Sequence, residues 1–235
     1  MVRGAGASGV LEIAYSDDSG VTWTNVDVEA SGTRYAADSG ALFALDYRHI
    51  WLVSTGGYIF FSSDGGISWT PQDSAGITTG DYFAVNFADE NVGYAVAAAG
   101  IVAKTDDGGA TWVATTVVTG TPDIFCVYVW DEDNVIIGDD EGTIWRSFDA
   151  GVTWSSLWSE GSSINDITFN NNGVGFAIDD DDLYRTRNGG ADWEDVSDLA
   201  AATEYNAVWL CDNNKAYVVG EDSSNLGVVF EVTGY

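Results

Sequence analysis

Apolar residues in this chain come in short runs that alternate with polar positions, and clusters of Gly, Asp, Asn and Ser interrupt them at close intervals. One stretch shows the grammar well. Tyr82-Phe83-Ala84-Val85-Asn86-Phe87, Val92-Gly93-Tyr94-Ala95-Val96, Gly100-Ile101-Val102-Ala103-Lys104-Thr105 and Ala110-Thr111-Trp112-Val113-Ala114-Thr115 are four consecutive strand-like runs. Turn-forming residues separate them, as antiparallel hairpins require. Composition agrees, with 28 Gly but only 2 Lys, 10 Glu and 1 Met among the strong helix formers.

A motif punctuates this pattern at a fixed place. Ser/Thr-x-Asp-x-Gly-x-Thr-Trp occurs at 16–23, 62–69, 105–112, 147–154 and, more worn, at 186–193. Its acidic or amide positions are Asp18, Asp64, Asp107, Asp149 and Asn188, spaced 46, 43, 42 and 39 residues apart, and its aromatic positions are Trp23, Trp69, Trp112, Trp154 and Trp193. An Asp in a tight turn accepts backbone N–H groups one to three residues on, and the Gly supplies a positive φ. The Thr-Trp pair then opens the next strand, with an indole large enough to fill the gap between sheets. Four short strands in each period of about 40 residues is the pattern of a β-propeller blade.

These residues resemble the Asp-box, or BNR repeat, of sialidases, sortilin-type receptors and the photosystem II assembly/stability factor family. The run from Val92 to Trp112 is especially similar to the last of these. The resemblance implies a structural box on the turn between the third and fourth strands of each blade, away from the ligand face. It also implies a chaperone-like, protein-binding propeller. That family typically has seven blades, a signal peptide and a basic arginine patch, whereas this chain is shorter, shows no signal and has 6 Arg. The expected fold is one all-β domain over residues 1–235. Residues 9–28 supply third and fourth strands only, four complete blades follow, and 206–211, 216–221 and 227–232 supply three more strands. Five blades closed by strands from both termini is the expectation, with six as the alternative.

Charge sharpens the functional reading. The formal net charge is −29, from 37 Asp and Glu against 8 Lys and Arg. Clustered cations are needed to bind a polyphosphate backbone or an anionic membrane, so nucleic acid and membrane insertion are excluded as partners. Aromatic residues make up 13% of the chain, which separates it from acidic disordered segments. No apolar stretch reaches the length of a membrane span, and the N-terminus lacks a signal-peptide core.

In a propeller the loops joining second to third strands lie opposite the boxes. Here they read Asp139-Asp140-Glu141, Asp179-Asp180-Asp181-Asp182 and Glu221-Asp222, an acidic face suited to a cation or a basic partner. No cofactor is expected, and calcium is the one ion such loops would take. With His49 as the only histidine, a multi-histidine zinc site is excluded.

A sialidase would need an arginine triad and a Phe/Tyr-Arg-Ile-Pro segment. The nearest approach, Tyr47-Arg48-His49-Ile50, lacks the Pro, and Arg146, Arg185 and Arg187 belong to third strands beside boxes. Trp158, at a fourth-strand end, is the candidate for stacking on a sugar, while Trp130 and Trp209 are expected in the core. Cys126 and Cys211 fall in first strands, where small buried apolar groups are expected. The chain therefore reads as a non-catalytic structural or protein-binding propeller, on a virion or an extracellular surface, with a basic protein or larger assembly as partner. The alternative is a glycan-binding lectin or glycoside hydrolase using the face opposite the boxes.

Overall fold

In the computed structural model each complete period folds into four antiparallel strands hydrogen-bonded in chain order. The residues described are 2–3, 12–18, 20–30, 33–34, 40–72, 80–116, 122–159, 161–199, 204–212, 215–221, 224 and 226–233. The chain divides into two compact units, Met1–Thr121 and Pro122–Tyr235.

In the first unit, β1 (Val2–Arg3), β2 (Glu12–Tyr15) and β3 (Thr24–Asp27) form one sheet, and β4 (Glu29–Ala30) pairs with β5 (Thr33–Arg34). Two four-stranded sheets follow. The first holds β6 (Gly40–Ala44), β7 (Ile50–Ser54), β8 (Tyr58–Ser62) and β9 (Thr70–Pro71). The second holds β10 (Tyr82–Phe87), β11 (Gly93–Ala97), β12 (Ile101–Thr105) and β13 (Val113–Thr116).

The second unit repeats the plan with β14 (Ile124–Val129), β15 (Val135–Asp139), β16 (Thr143–Ser147) and β17 (Ser155–Ser159). Its next sheet is β18 (Asp166–Phe169), β19 (Gly175–Ile178), β20 (Leu183–Thr186) and β21 (Glu194–Asp195). A last sheet has three strands, β22 (Glu204–Asp212), β23 (Lys215–Glu221) and β24 (Gly227–Thr233). One 3-10 turn, Ser197–Leu199, is the only helical element among the described residues. No helix there is long and apolar enough to cross a membrane.

The fold is all-β, a propeller of four-stranded antiparallel blades, with five blades from β6 to β24 and the last of these carrying three strands. At the N-terminal end β2 and β3 are the third and fourth strands that the repeat predicts, and β1 adds a partner on the far side of β2. A closing sheet shared by both termini is not confirmed, since β3 pairs with β2 and β24 with β23.

Burial grades across each blade. The second strands β11, β15 and β19 are buried at every position, whereas the fourth strands are mostly exposed. Strands covered on both faces need continuous apolar runs rather than alternation, which is why Val135-Ile136-Ile137 and Tyr94-Ala95-Val96 look as they do. Three of the five first strands, β10, β14 and β22, start with the same irregularity, a register shift at Tyr82/Ala84, Ile124/Cys126 and Tyr205/Ala207, which adds local twist.

Neighbouring blades within a unit meet through aromatic stacks. In the first unit Trp51 lies 3.7 Å from Phe87 at 20° between ring planes, with Trp112 edge-on to Phe87. Such pairs add about 1 kcal/mol each beyond burial. In the second unit Phe169 holds the equivalent place, touching Trp130, Tyr128 and Trp193. Phe87 and Phe169 each sit across the ladder from a glycine, Gly93 and Gly175, where any Cβ would enter the ring.

Candidate functional site

The box turns are built from side-chain acceptors. In the first, Ser16 Oγ donates to Asp18 Oδ1 (2.9 Å) and accepts the Gly20 N–H (2.7 Å). Asp18 Oδ1 then accepts the Thr22 N–H (2.8 Å) and Oδ2 the Thr22 hydroxyl (2.7 Å). The same four bonds recur around Asp64, Asp107 and Asp149. The backbone donor lies four residues beyond the Asp, two steps further than a simple Asx turn, because the Ser/Thr hydroxyl serves the nearer positions. The Gly two places after the Asp takes φ of +86° at Gly20 and +87° at Gly66, a region closed to most side chains.

The indole does not open the strand. It precedes it and folds back, so that Trp23, Trp69 and Trp154 donate Nε1–H to the box glycine's carbonyl at 3.0–3.1 Å. Hydrogen bonds hold the carboxylates of Asp18, Asp64, Asp107 and Asp149 below the usual carboxylate range, with the Thr or Ser four residues on the main cause. The worn box substitutes Asn188, whose Nδ2 donates to Asp192 (2.9 Å), and the buried Trp193 Nε1 has no hydrogen-bond partner among the described residues.

The acidic loops are also built as turns. Asp139 is fully buried: its Oδ1 accepts the N–H groups of Glu141 (3.1 Å) and Thr143 (2.7 Å), and its Oδ2 accepts the Trp145 indole (2.7 Å). Asp179, also buried, accepts the N–H groups of Asp181 and Asp182 and the Tyr184 hydroxyl. These two carboxylates are therefore removed from the expected acidic surface, because the turns consume them. Asp140 accepts the Asp123 N–H, Asp180 the Asn165 amide, and Asp182 the Ser197 hydroxyl. Asp140, Glu141, Asp180 and Asp181 are exposed, Asp182 is half-buried, Glu221 is half-buried at the end of β23, and Asp222 lies outside the described residues. Among the described residues no group of three or more His, Cys, Asp or Glu side chains is arranged to hold a metal ion.

The third-strand arginines do not converge. Arg146 is sandwiched over Trp130 (4.6 Å) and Phe148 (4.3 Å) and donates to the Gly189 carbonyl. Arg185 and Arg187 both bind Glu194. Trp158 is half-buried with its ring 4.4 Å from Tyr184, so it belongs to the packing between two blades rather than to an open sugar platform. Trp130 joins that core, but Trp209 does not. It is 66% exposed on the outer face of β22, and the neighbouring Cys211 thiol is exposed as well. Cys126 is buried, as expected, and desolvation pushes its thiol well up.

The ends of β14, β18 and β22 frame an open cleft of about 490 Å³, on the same side as the boxes, lined by Tyr128, Phe169, Asn170, Asn171, Asn172, Leu210 and Cys211. Burial raises the Tyr128 phenol above its usual range, which keeps it a neutral donor. Asn170 Oδ1 accepts the N–H groups of Asn172 and Val174 and so fixes the turn, leaving the Asn171 and Asn172 amides exposed at the rim. Sequence reasoning passed over this cleft. Its signal was the Asn170-Asn171-Asn172 run directly after an aromatic first strand.

Deeper between β18 and β22, Asp166 accepts the Val208 N–H (2.9 Å) and its neighbour Ile167 N–H (2.9 Å). Part of the residue reaches solvent, yet protein crowds its carboxyl closely enough for desolvation to push it up to about 6.

Repeated box pins on blades of this topology define an Asp-box propeller. The family model of the photosynthesis system II assembly factor YCF48 matches residues 14–179, and the chain belongs to that family. Among solved structures it is similar to YCF48 bound to D1 peptide, at 18% identity and a TM-score of 0.62, over 80% of this chain and 63% of that one. YCF48 from Cyanidioschyzon merolae matches at 16% identity and a TM-score of 0.62, over 80% and 66%. The chain thus spans less than two thirds of these relatives. An ancestral GH74 enzyme shares the fold at 14% identity and a TM-score of 0.63, over 82% of this chain and 29% of that one. No curated protein matches the chain.

Proposed function

We propose that this chain is a non-catalytic propeller that binds a protein partner, holding a peptide segment in the cleft between Tyr128, Asn172 and Cys211. The lining of that cleft carries the reading. Exposed amides at its rim match the donors and acceptors of a peptide backbone, and the Tyr128 and Phe169 rings offer an apolar floor for one side chain. Membership of an assembly-factor family supports the protein-binding class, and a solved YCF48 carries a D1 peptide. The net charge of −29 favours a basic segment and raises its rate of encounter.

An array of peptides spanning basic, acidic and neutral sequences tests the reading. Basic peptides with one aromatic or aliphatic residue are expected to bind, and Tyr128→Ala to weaken them roughly tenfold, the effect of losing one aromatic contact. Equal affinity of wild type and Tyr128→Ala would place the site elsewhere. Saturable turnover of chromogenic glycosides, abolished by a single carboxylate-to-amide change, would replace this reading by the enzymatic one. The finer setting, the surface of a virion or a cell, rests on composition, and stoichiometric recovery of the chain in purified particles tests it.

A further inference from the structure

Among the described residues the last blade has no strand on the edge that its sister blades cover. In the four-stranded sheets a fourth strand pairs antiparallel with the third, β9 on β8, β13 on β12, β17 on β16 and β21 on β20. β24 is the third strand of its own sheet, paired with β23 along all seven of its residues, and it forms the outer edge among the described residues. An uncovered edge presents a row of backbone donors and acceptors in strand geometry. The molecule's own repeats show what fits there: a short extended segment, antiparallel to the third strand, mostly exposed, with a half-buried apolar residue such as Ala114 on β13 or Leu157 on β17.

Side chains beside this edge add a second feature. Ala207, Val219 and Val229 are cross-strand neighbours on one face, all exposed, and Trp209 lies next to them. Around this apolar strip the sheet carries Glu204, Glu221 and Glu231 against Lys215, which Glu231 already binds at 3.3 Å. A second copy of the chain is a poor occupant, since it would bring another −29 and set one Glu231 near another.

We infer that the β24 edge receives an extended segment of a basic partner protein, which adds as an antiparallel fourth strand and alternates apolar residues with Lys or Arg. Backbone pairing supplies the affinity, the Val229 strip takes the apolar side chains, and the acidic surround selects against acidic segments. This surface is separate from the Tyr128 cleft.

Seven-residue peptides alternating Val and Lys test it, with a Val/Glu peptide and a version N-methylated at alternate amides as controls. Binding of the Val/Lys peptide is expected to slow hydrogen exchange of the 227–233 amides roughly tenfold or more and to change Trp209 fluorescence. The N-methylated and Val/Glu peptides should do neither. Glu231→Lys should weaken the effect of the Val/Lys peptide on the 227–233 amides roughly two- to fivefold, the size of one exposed charge pair, whereas Tyr128→Ala should leave the protection of those amides unchanged. Equal protection of the 227–233 amides by the N-methylated peptide would overturn the inference. So would 227–233 amides protected as strongly as those of β23 in the protein alone, or self-association that Val229→Lys abolishes.

Discussion

The Asp-box turns and the second-to-third-strand loops both use an Asp to hold a hairpin, yet they place it in different surroundings. Asp107 sits at an exposed corner and accepts from the N–H and hydroxyl of the exposed Thr111, which water could also serve, and from the hydroxyl of the buried Thr105. Asp139 has no exposed surface and accepts from two N–H groups and an indole, one of them reaching across six residues to Trp145. The difference lies in what remains when the carboxylate is removed. At the box two of the three freed donors meet solvent, whereas at the buried loop they are stranded, and a stranded buried donor costs its full desolvation.

Asp139→Ala is accordingly the substitution with the largest expected effect, roughly 3 kcal/mol or more for several orphaned donors, read as a fall in the urea midpoint. Asp139→Asn keeps one oxygen acceptor and should lose about half of that. A loss equal to that of a box Asp would erase the distinction between the two regions. Asp179→Ala, with Tyr184 in the place of Trp145, should fall in the same class.

Asp166 brings the comparison into pH. Its folded value of about 6 stands above the ordinary 3.8 because of desolvation, so the folded state favours the protonated form. Stability at this site is therefore full below about pH 4, falls as pH rises to about 6, and is level above. The shift corresponds to about 3 kcal/mol, which the solvent reaching the residue reduces to about 1–2. Box aspartates act in the opposite sense: their lowered values contribute stability above the ordinary carboxylate range that is lost as pH falls through it. Chemical denaturation of wild type and Asp166→Asn from pH 4 to 7.5 separates the two. The variant should lack the decline, and parallel curves would refute the assignment.

Much of this architecture is legible in the residues. Ser-x-Asp-x-Gly-x-Thr-Trp names its own donors and acceptors in order, and buried second strands appear as continuous apolar runs because both faces are covered. The acidic loops were harder to read, because an Asp that caps a buried turn and an Asp that faces water look alike in sequence. The distinction at Asp139 depends on Trp145 folding back over it, a contact that no local pattern announces. Trp209 was opaque for a related reason. In β22 the register shift at Tyr205/Ala207 sets which alternate residues face the core, and it puts Tyr205, Val208 and Leu210 inside and Trp209 outside.

Smaller effects belong to the boxes themselves. Asp107→Ala should cost about 1 kcal/mol, the usual value of a side-chain cap on exposed donors. The worn box gives the finest test of how the motif works. Asn188 accepts the Asp192 N–H (3.0 Å) just as Asp accepts in the other boxes, but its amide also donates to the Asp192 carboxylate where they receive a hydroxyl. Asn188→Asp alone would set two carboxylates against each other and should destabilise by about 0.5 kcal/mol, the scale of like charges at close surface positions. Adding Asp192→Thr restores the hydroxyl donor, and the double variant should regain the loss and exceed wild type by a few tenths of a kcal/mol, a coupling that a double-mutant cycle measures directly. Additive behaviour of the two changes would mean that the hydroxyl-to-carboxylate bond contributes nothing, and that the Ser/Thr two residues before the Asp holds the turn without it.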